Sequence, residues 1–235
     1  MKKLLCVTIA LLYATAMQAQ DEKAGVTKFL GIPIDGYKPA MIEKLKAKGF
    51  TSTTWDKDVL EGEFNGTEVL VSVWTNNNKV YRIYLIDKYK LNETDIKIRF
   101  NNLCRQFGNN PKYMPITDKE LTIPDDEDIS YEMTVKNKSY DARFYQISLL
   151  DSAILYNESK YSSVQSRLFS QLEQYTWEQQ NNPTEETKEK VIQIQYLLNN
   201  HLNKSVHFMI LESAGKYRIG MAYSNGYNKA DGEDL

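Results

Sequence analysis

Cysteine and histidine are scarce in this chain: two of each are spread over 235 residues. That scarcity removes whole classes of chemistry. Neither a C-x-x-C pair nor an H-E-x-x-H helix occurs, so the usual zinc-binding spacings are missing. The chain also lacks a G-x-S-x-G elbow, a phosphate-binding P-loop and a G-x-G-x-x-G turn between strand and helix. Standard hydrolase and nucleotide-binding machinery are therefore not encoded in recognisable form, and no cofactor is expected. Neither sign of charge dominates, with 29 basic residues against 31 acidic. A general nucleic-acid binder needs a basic face, so this balance argues against one. Beyond the first twenty residues, no apolar run approaches the ~20 residues of a membrane-spanning helix.

What is present begins with a leader. Lys2 and Lys3 precede an apolar run over residues 4–14, and Ala16-Met-Gln-Ala19 supplies an A-x-A cleavage pattern. The expectation is cleavage after Ala19 and export to the periplasm, the cell surface or the extracellular space. Cys6 sits at the start of the apolar run, where it would leave with the leader. Cys104 then remains as the one thiol, which excludes an intramolecular disulfide. Loss of the two lysines takes the formal net charge from −2 to −4. Stability must come from an ordinary core, for which 16 Tyr, 8 Phe and 3 Trp are available.

The stretch FLGIPIDGYKPAMIEKLKAKGF, residues 29–50, reads as fold punctuation. A short extended segment ends at the turn pair Asp35-Gly36. A helix follows with Pro39 in its first turn and an apolar stripe of Met41, Ile42 and Leu45. Gly49 and Phe50 have the spacing of a Schellman end closing on Leu45. A meander comes next: residues 59–64, the hairpin pair Asn65-Gly66, a strand alternating about Val69, Val71 and Val73, and a third strand over 80–86. In that third strand Tyr81, Ile83 and Leu85 are expected to face inward, and Val80, Arg82, Tyr84 and Ile86 outward. Residues 93–107 predict a helix capped by Asn92 or Thr94, with Ile96, Phe100, Leu103 and Phe107 as its buried stripe and Gly108 as its stop.

Pro111, Pro115, Pro124 and the acidic run Asp125-Asp-Glu-Asp128 mark a surface connection. Beyond it, residues 131–135 and 140–150 read as a second hairpin. Two helices carry the stripes Val164, Leu168, Leu172, Tyr175 and Val191, Ile194, Leu198, Leu202. The second of them is expected to start with Asn182 as N-cap and Pro183 at its first position. Two closing strands span 206–211 and 217–224. Meanders separated by helices predict an α+β fold, with antiparallel strands packed against helices on one face. The expected division is a leader over 1–19, a helix–meander–helix lobe over 20–115 and an α+β lobe over 116–235 that can join the first in one domain.

The motifs F-x-G-I-P-I-D-G, K-G-F and L-x-G-x-F-x-G, together with the end from Gly220 to Leu235, resemble a family of exported α+β proteins from Gram-negative gut bacteria. In that family a Ser commonly follows the Asp-Gly pair and caps the helix. Tyr37 stands there in this chain, leaving Asp35 as the expected cap. The resemblance implies export and an α+β fold, and no activity comes with it. The layout is also similar, at fold level, to helix-plus-sheet inhibitor folds such as the β-lactamase inhibitor protein.

Candidate chemistry is sparse. Cys104 lies on an apolar helical stripe and reads as a buried, inert thiol, because a catalytic thiol needs a lowered pKa and a base within reach. His201 and His207 are the available bases, and His207 alternates with Val206 and Phe208 on the polar side of its strand. The acids at 125–128 point in different directions and lack the spaced loop of a calcium site. The same holds for Asp231-Gly-Glu-Asp234. No catalytic and no metal-binding residue is therefore assigned.

One surface invites a binding role. With Val69, Val71 and Val73 packed under helices, Trp74 falls on the opposite face, joined there by Arg82 and Tyr84. Trp, Tyr and Arg are enriched at binding hot spots, while packing beneath a second lobe would use the same residues. The leading expectation is an exported, non-catalytic binding or interaction protein whose ligand is a protein or a glycan. The alternatives are a hydrolase using a carboxylate pair, whose separation is not readable in sequence, and a structural envelope component with no discrete ligand.

Overall fold

A computed structural model describes residues 25–116, 121–147 and 164–229. The expected leader with Cys6, the end of the 140–150 strand and the Asp231–Asp234 motif lie outside the described residues. Within them are ten strands and five helices, and the fold is α+β with antiparallel sheets. Strands β1 (Lys28–Phe29) and β2 (Ile32–Pro33) pair with each other. The remaining strands are β3 (Thr51–Ser52), β4 (Val59–Phe64), β5 (Thr67–Asn76), β6 (Lys79–Asp87), β7 (Tyr113–Pro115), β8 (Asp141–Gln146), β9 (Lys204–Ser213) and β10 (Lys216–Asn225). They form one sheet in the order β3-β4-β5-β6-β10-β9-β8-β7. The sheet thus joins strands from both sides of residue 115.

The turns follow from local chemistry. Asn65-Gly66, Asn77-Asn78 and Ala214-Gly215 all have both central residues at positive φ. That is the type I′ geometry whose twist matches paired strands. Helix α1 (Lys38–Lys46) ends as the sequence predicts: Phe50 N–H donates to the Leu45 carbonyl and Gly49 N–H to the Lys46 carbonyl, with Gly49 at φ 100°. Its start differs. Asp35 does not cap it; that carboxylate accepts from its neighbour Gly36 N and from Asn228 Nδ2, and Tyr37 occupies the cap position without a side-chain hydrogen bond. Helix α2 (Glu93–Asn109) is capped by Asn92 Oδ1, which accepts from Asp95 N at 2.8 Å. It runs through Gly108.

The expected strand at 131–135 is instead helix α3 (Ile129–Thr134). Asp128 caps it through Tyr131 N, and Ile129 is wholly buried. The acidic run thus acts as punctuation, with Glu127 bound to Lys138 and Tyr140. The surface connection holds β7, an edge strand in which Pro115 costs no central ladder bond. Helices α4 (Val164–Asn181) and α5 (Glu185–Asn203) form a hairpin. Thr184, not Asn182, starts α5: Thr184 Oγ1 accepts from Thr187 N, and Thr187 Oγ1 accepts from Thr184 N. No helix among the described residues is long and apolar enough to cross a membrane.

One sheet face is covered by α1 and α2. Met41 and Leu45, Ile96, Phe100, Leu103 and Phe107 share a buried cluster with Val71, Ile83, Phe144, Phe208 and Met221. Each such side chain contributes about 1.5–3 kcal/mol on burial. Cys104 belongs to this cluster, and burial pushes its thiol up to about 12, as expected of an inert cysteine. The α4–α5 hairpin makes a second cluster, in which Leu168, Ile194 and Leu198 meet Ile147 and Met114. Met114 is the register partner of Tyr145, so this hairpin packs at one end of the opposite sheet face.

Candidate functional site

Register places the expected binding residues side by side. Residues directly opposite in an antiparallel pair share a face. One row across the face away from α1 and α2 therefore reads Trp74, Arg82, Ser224, Ser205, Tyr145 and Met114. The adjacent row reads Val59, Ser72, Tyr84, Ala222, His207 and Arg143. The first row runs under the α4–α5 hairpin at its Met114 end. At its other end Trp74 is 41% exposed.

The three residues form one contact group. The Trp74 and Tyr84 rings lie 5.6 Å apart at 35°. The Arg82 guanidinium carbon sits 5.4 Å from the Trp74 ring and 5.5 Å from that of Tyr81, a cation–π arrangement. Arg82 Nε donates to Ser224 Oγ at 3.0 Å. Tyr81 takes part because of a bulge. Trp74 pairs with Arg82, but Thr75 pairs with Val80, which leaves Tyr81 as the extra residue. The bulge overturns two expectations: Val80 is wholly buried rather than outward, and Tyr81 is half-buried beside Arg82 rather than in the core.

Gly220 lets Tyr84 lie across β10. A Cβ at that position would stand 2.5 Å from the Tyr84 hydroxyl oxygen and 2.8 Å from Leu211 Cδ1. Burial raises the Tyr84 pKa, opposed by the nearby Arg82 charge.

His207 belongs to the same face, as its alternation predicts, with Nε2 3.1 Å from Asp141 Oδ2. Its pKa is lowered, first by burial; the hydrogen bond to Asp141 raises it, while the positive charges of Arg143 and Arg82 lower it further. Asp141 is 44% exposed, so solvent weakens its attraction and burial prevails. A histidine neutral in the fold and protonated in the unfolded chain adds stability above its ordinary pKa of 6.5. That stability is lost as pH falls from there toward the lowered value. In urea unfolding between pH 7 and 5, wild type is expected to lose its advantage over His207→Gln as pH falls. An advantage that grew on acidification would show that the charged His207–Asp141 pair dominates instead.

The sheet separates His207 from Cys104, which lies under it on α2, so these two do not form a thiol–imidazole pair. His201 lies in α5, and its side chain is outside those described. No group of three or more His, Cys, Asp or Glu among the described residues is placed to hold a metal ion. Among the described residues, the carboxyl groups of Glu127 and Glu186 are held low, first by hydrogen bonds from Lys138 and Lys190 respectively. Sequence reading missed Arg143, Asp141 and Ser224 as members of this face. Alternation alone assigns a side chain to one face or the other, and the pairing of β10 with β6 carries no local signature. No family model, no curated protein and no solved structure matches the chain.

Proposed function

We propose that this chain is an exported, non-catalytic binding protein that engages its ligand through the sheet face bearing Trp74, Arg82 and Tyr84. The observation that carries the reading is the pre-formed contact group itself. Arg82 is stacked on two rings and hydrogen-bonded to Ser224, yet Trp74 keeps an exposed surface. Side chains already fixed in place lose little freedom on binding, and large amphipathic residues of these types supply most of the energy at interfaces. Export is the part of the reading that rests on the leader pattern.

The test is affinity capture from envelope extract and from a glycan panel, with the chain from Gln20 onward immobilised. Wild type should retain a ligand that the Trp74→Ala, Arg82→Ala, Tyr84→Ala triple variant releases, at an affinity loss of about 100-fold or more. Circular dichroism checks that the variant is folded. Equal retention by both proteins removes this face from consideration.

A further inference from the structure

We propose that the open face binds an acidic saccharide, with its carboxylate or sulfate groups held by Arg82 and Arg143 and a sugar ring laid against Trp74. This rests on the binding reading above and names the ligand class for the same face.

Charge complementarity carries the argument. Among the described residues, neither Arg82 nor Arg143 is paired with a carboxylate; the one side-chain hydrogen bond of Arg82 goes to the neutral Ser224 hydroxyl. Guanidinium groups left with donors to spare are the groups that recognise carboxylate and sulfate oxygens in a planar, two-pronged way. Arg82 on β6 and Arg143 on β8 are separated by β10 and β9, roughly 14 Å across the strands at ~4.8 Å per strand, with a two-residue offset of about 7 Å along them. That spacing calls for a ligand with repeated anionic groups on an extended backbone.

The ground around the arginines selects a sugar over an acidic peptide. Ser224 and Ser205 bring hydroxyls between them, and Tyr84 and Ser72 flank Arg82 in the adjacent row. With Nε2–H of His207 donated to Asp141, Nδ1 is left as an acceptor. This mixture of donors and acceptors suits a polyhydroxylated chain. The Tyr84 hydroxyl and Leu211 already fill the space above Gly220, and Ala222 is buried beside it, so the surface offered to a ring is that of Trp74 and Tyr84. A peptide would be anchored by an apolar side chain inserted in a pocket.

The experiment is calorimetric titration of the chain from Gln20 onward with matched probes. Oligogalacturonate is compared with its fully methyl-esterified form, and a sulfated galactan oligomer with its unsulfated backbone. Oligoglutamate serves as the acidic peptide. One or both anionic sugars should bind at least about tenfold tighter than the neutral counterpart. The affinity should fall with added salt, drop about tenfold in Arg143→Ala and recover only in part in Arg143→Lys, which keeps the charge but not the two-pronged geometry. Which anionic arm binds distinguishes carboxylate from sulfate. Equal binding of neutral and anionic sugars, tighter binding of oligoglutamate, no binding of any sugar, or an unaffected Arg143→Ala would each overturn the proposal. The binding reading fails separately, when the triple variant retains whatever the wild type captures.

Discussion

Asp87→Ala is expected to destabilise the protein by about 3–5 kcal/mol, read from urea unfolding at neutral pH. Asp87 is 2% exposed and joins three elements. Its carboxylate accepts from Arg99 Nε at 2.7 Å and Arg99 Nη2 at 2.6 Å, on α2, and from Ile219 N at 3.1 Å, on β10. Removing it strands a mostly buried guanidinium and orphans a backbone N–H. Arg99→Met isolates the other partner and should be comparably destabilised. The double variant Asp87→Leu, Arg99→Met should recover part of the loss, because an apolar pair replaces two desolvated charges. A cost below about 1 kcal/mol for Asp87→Ala would mean that the clamp is not closed in solution.

The second large effect is expected at Phe208. Phe208→Ala should cost about 3–5 kcal/mol, the range for removing a fully buried aromatic. The ring is wholly buried, with Phe100 and Phe107 of α2 each 5.5 Å away and Phe144 of β8 at 5.9 Å. It is the point where helix, first-half and second-half residues meet. The surface exposed on unfolding should be unchanged, so the denaturant midpoint moves while the slope holds. A loss of less than 1 kcal/mol would contradict a core shared by residues on both sides of position 115.

The features legible in sequence are those whose causes are local. The Ile96, Phe100, Leu103, Phe107 stripe, the Asn92 cap, the Asn65-Gly66 turn and the Gly49–Phe50 helix end each depend on residues within one turn or one hairpin. Residues 131–135 misled because Tyr, Met, Thr and Val favour strands, whereas the Asp128 cap and the burial of Ile129 fix a helical turn. The inward set of β6 was right for Ile83 and Leu85 and wrong for Tyr81 and Val80, because a bulge shifts alternation by one residue. Trp74, Arg82 and Tyr84 could be placed on one face from two adjacent strands. Their neighbours His207, Arg143 and Ser224 could not be joined to them, because that requires knowing that β10 inserts between β6 and β9. Strand order is set by the whole core and has no short-range sign.

Tryptophan emission tests directly whether the Trp74 face takes the proposed ligand. Three tryptophans are present, and Trp55 and Trp177 are both strongly exposed. A Trp55→Phe, Trp177→Phe variant leaves Trp74 as the sole reporter. With saturating oligogalacturonate or sulfated galactan, Trp74 emission should shift to shorter wavelength and lose much of its quenching by acrylamide. Saturation of the protein, confirmed by calorimetry, with Trp74 emission and quenching unchanged would place the ligand elsewhere and contradict the claim.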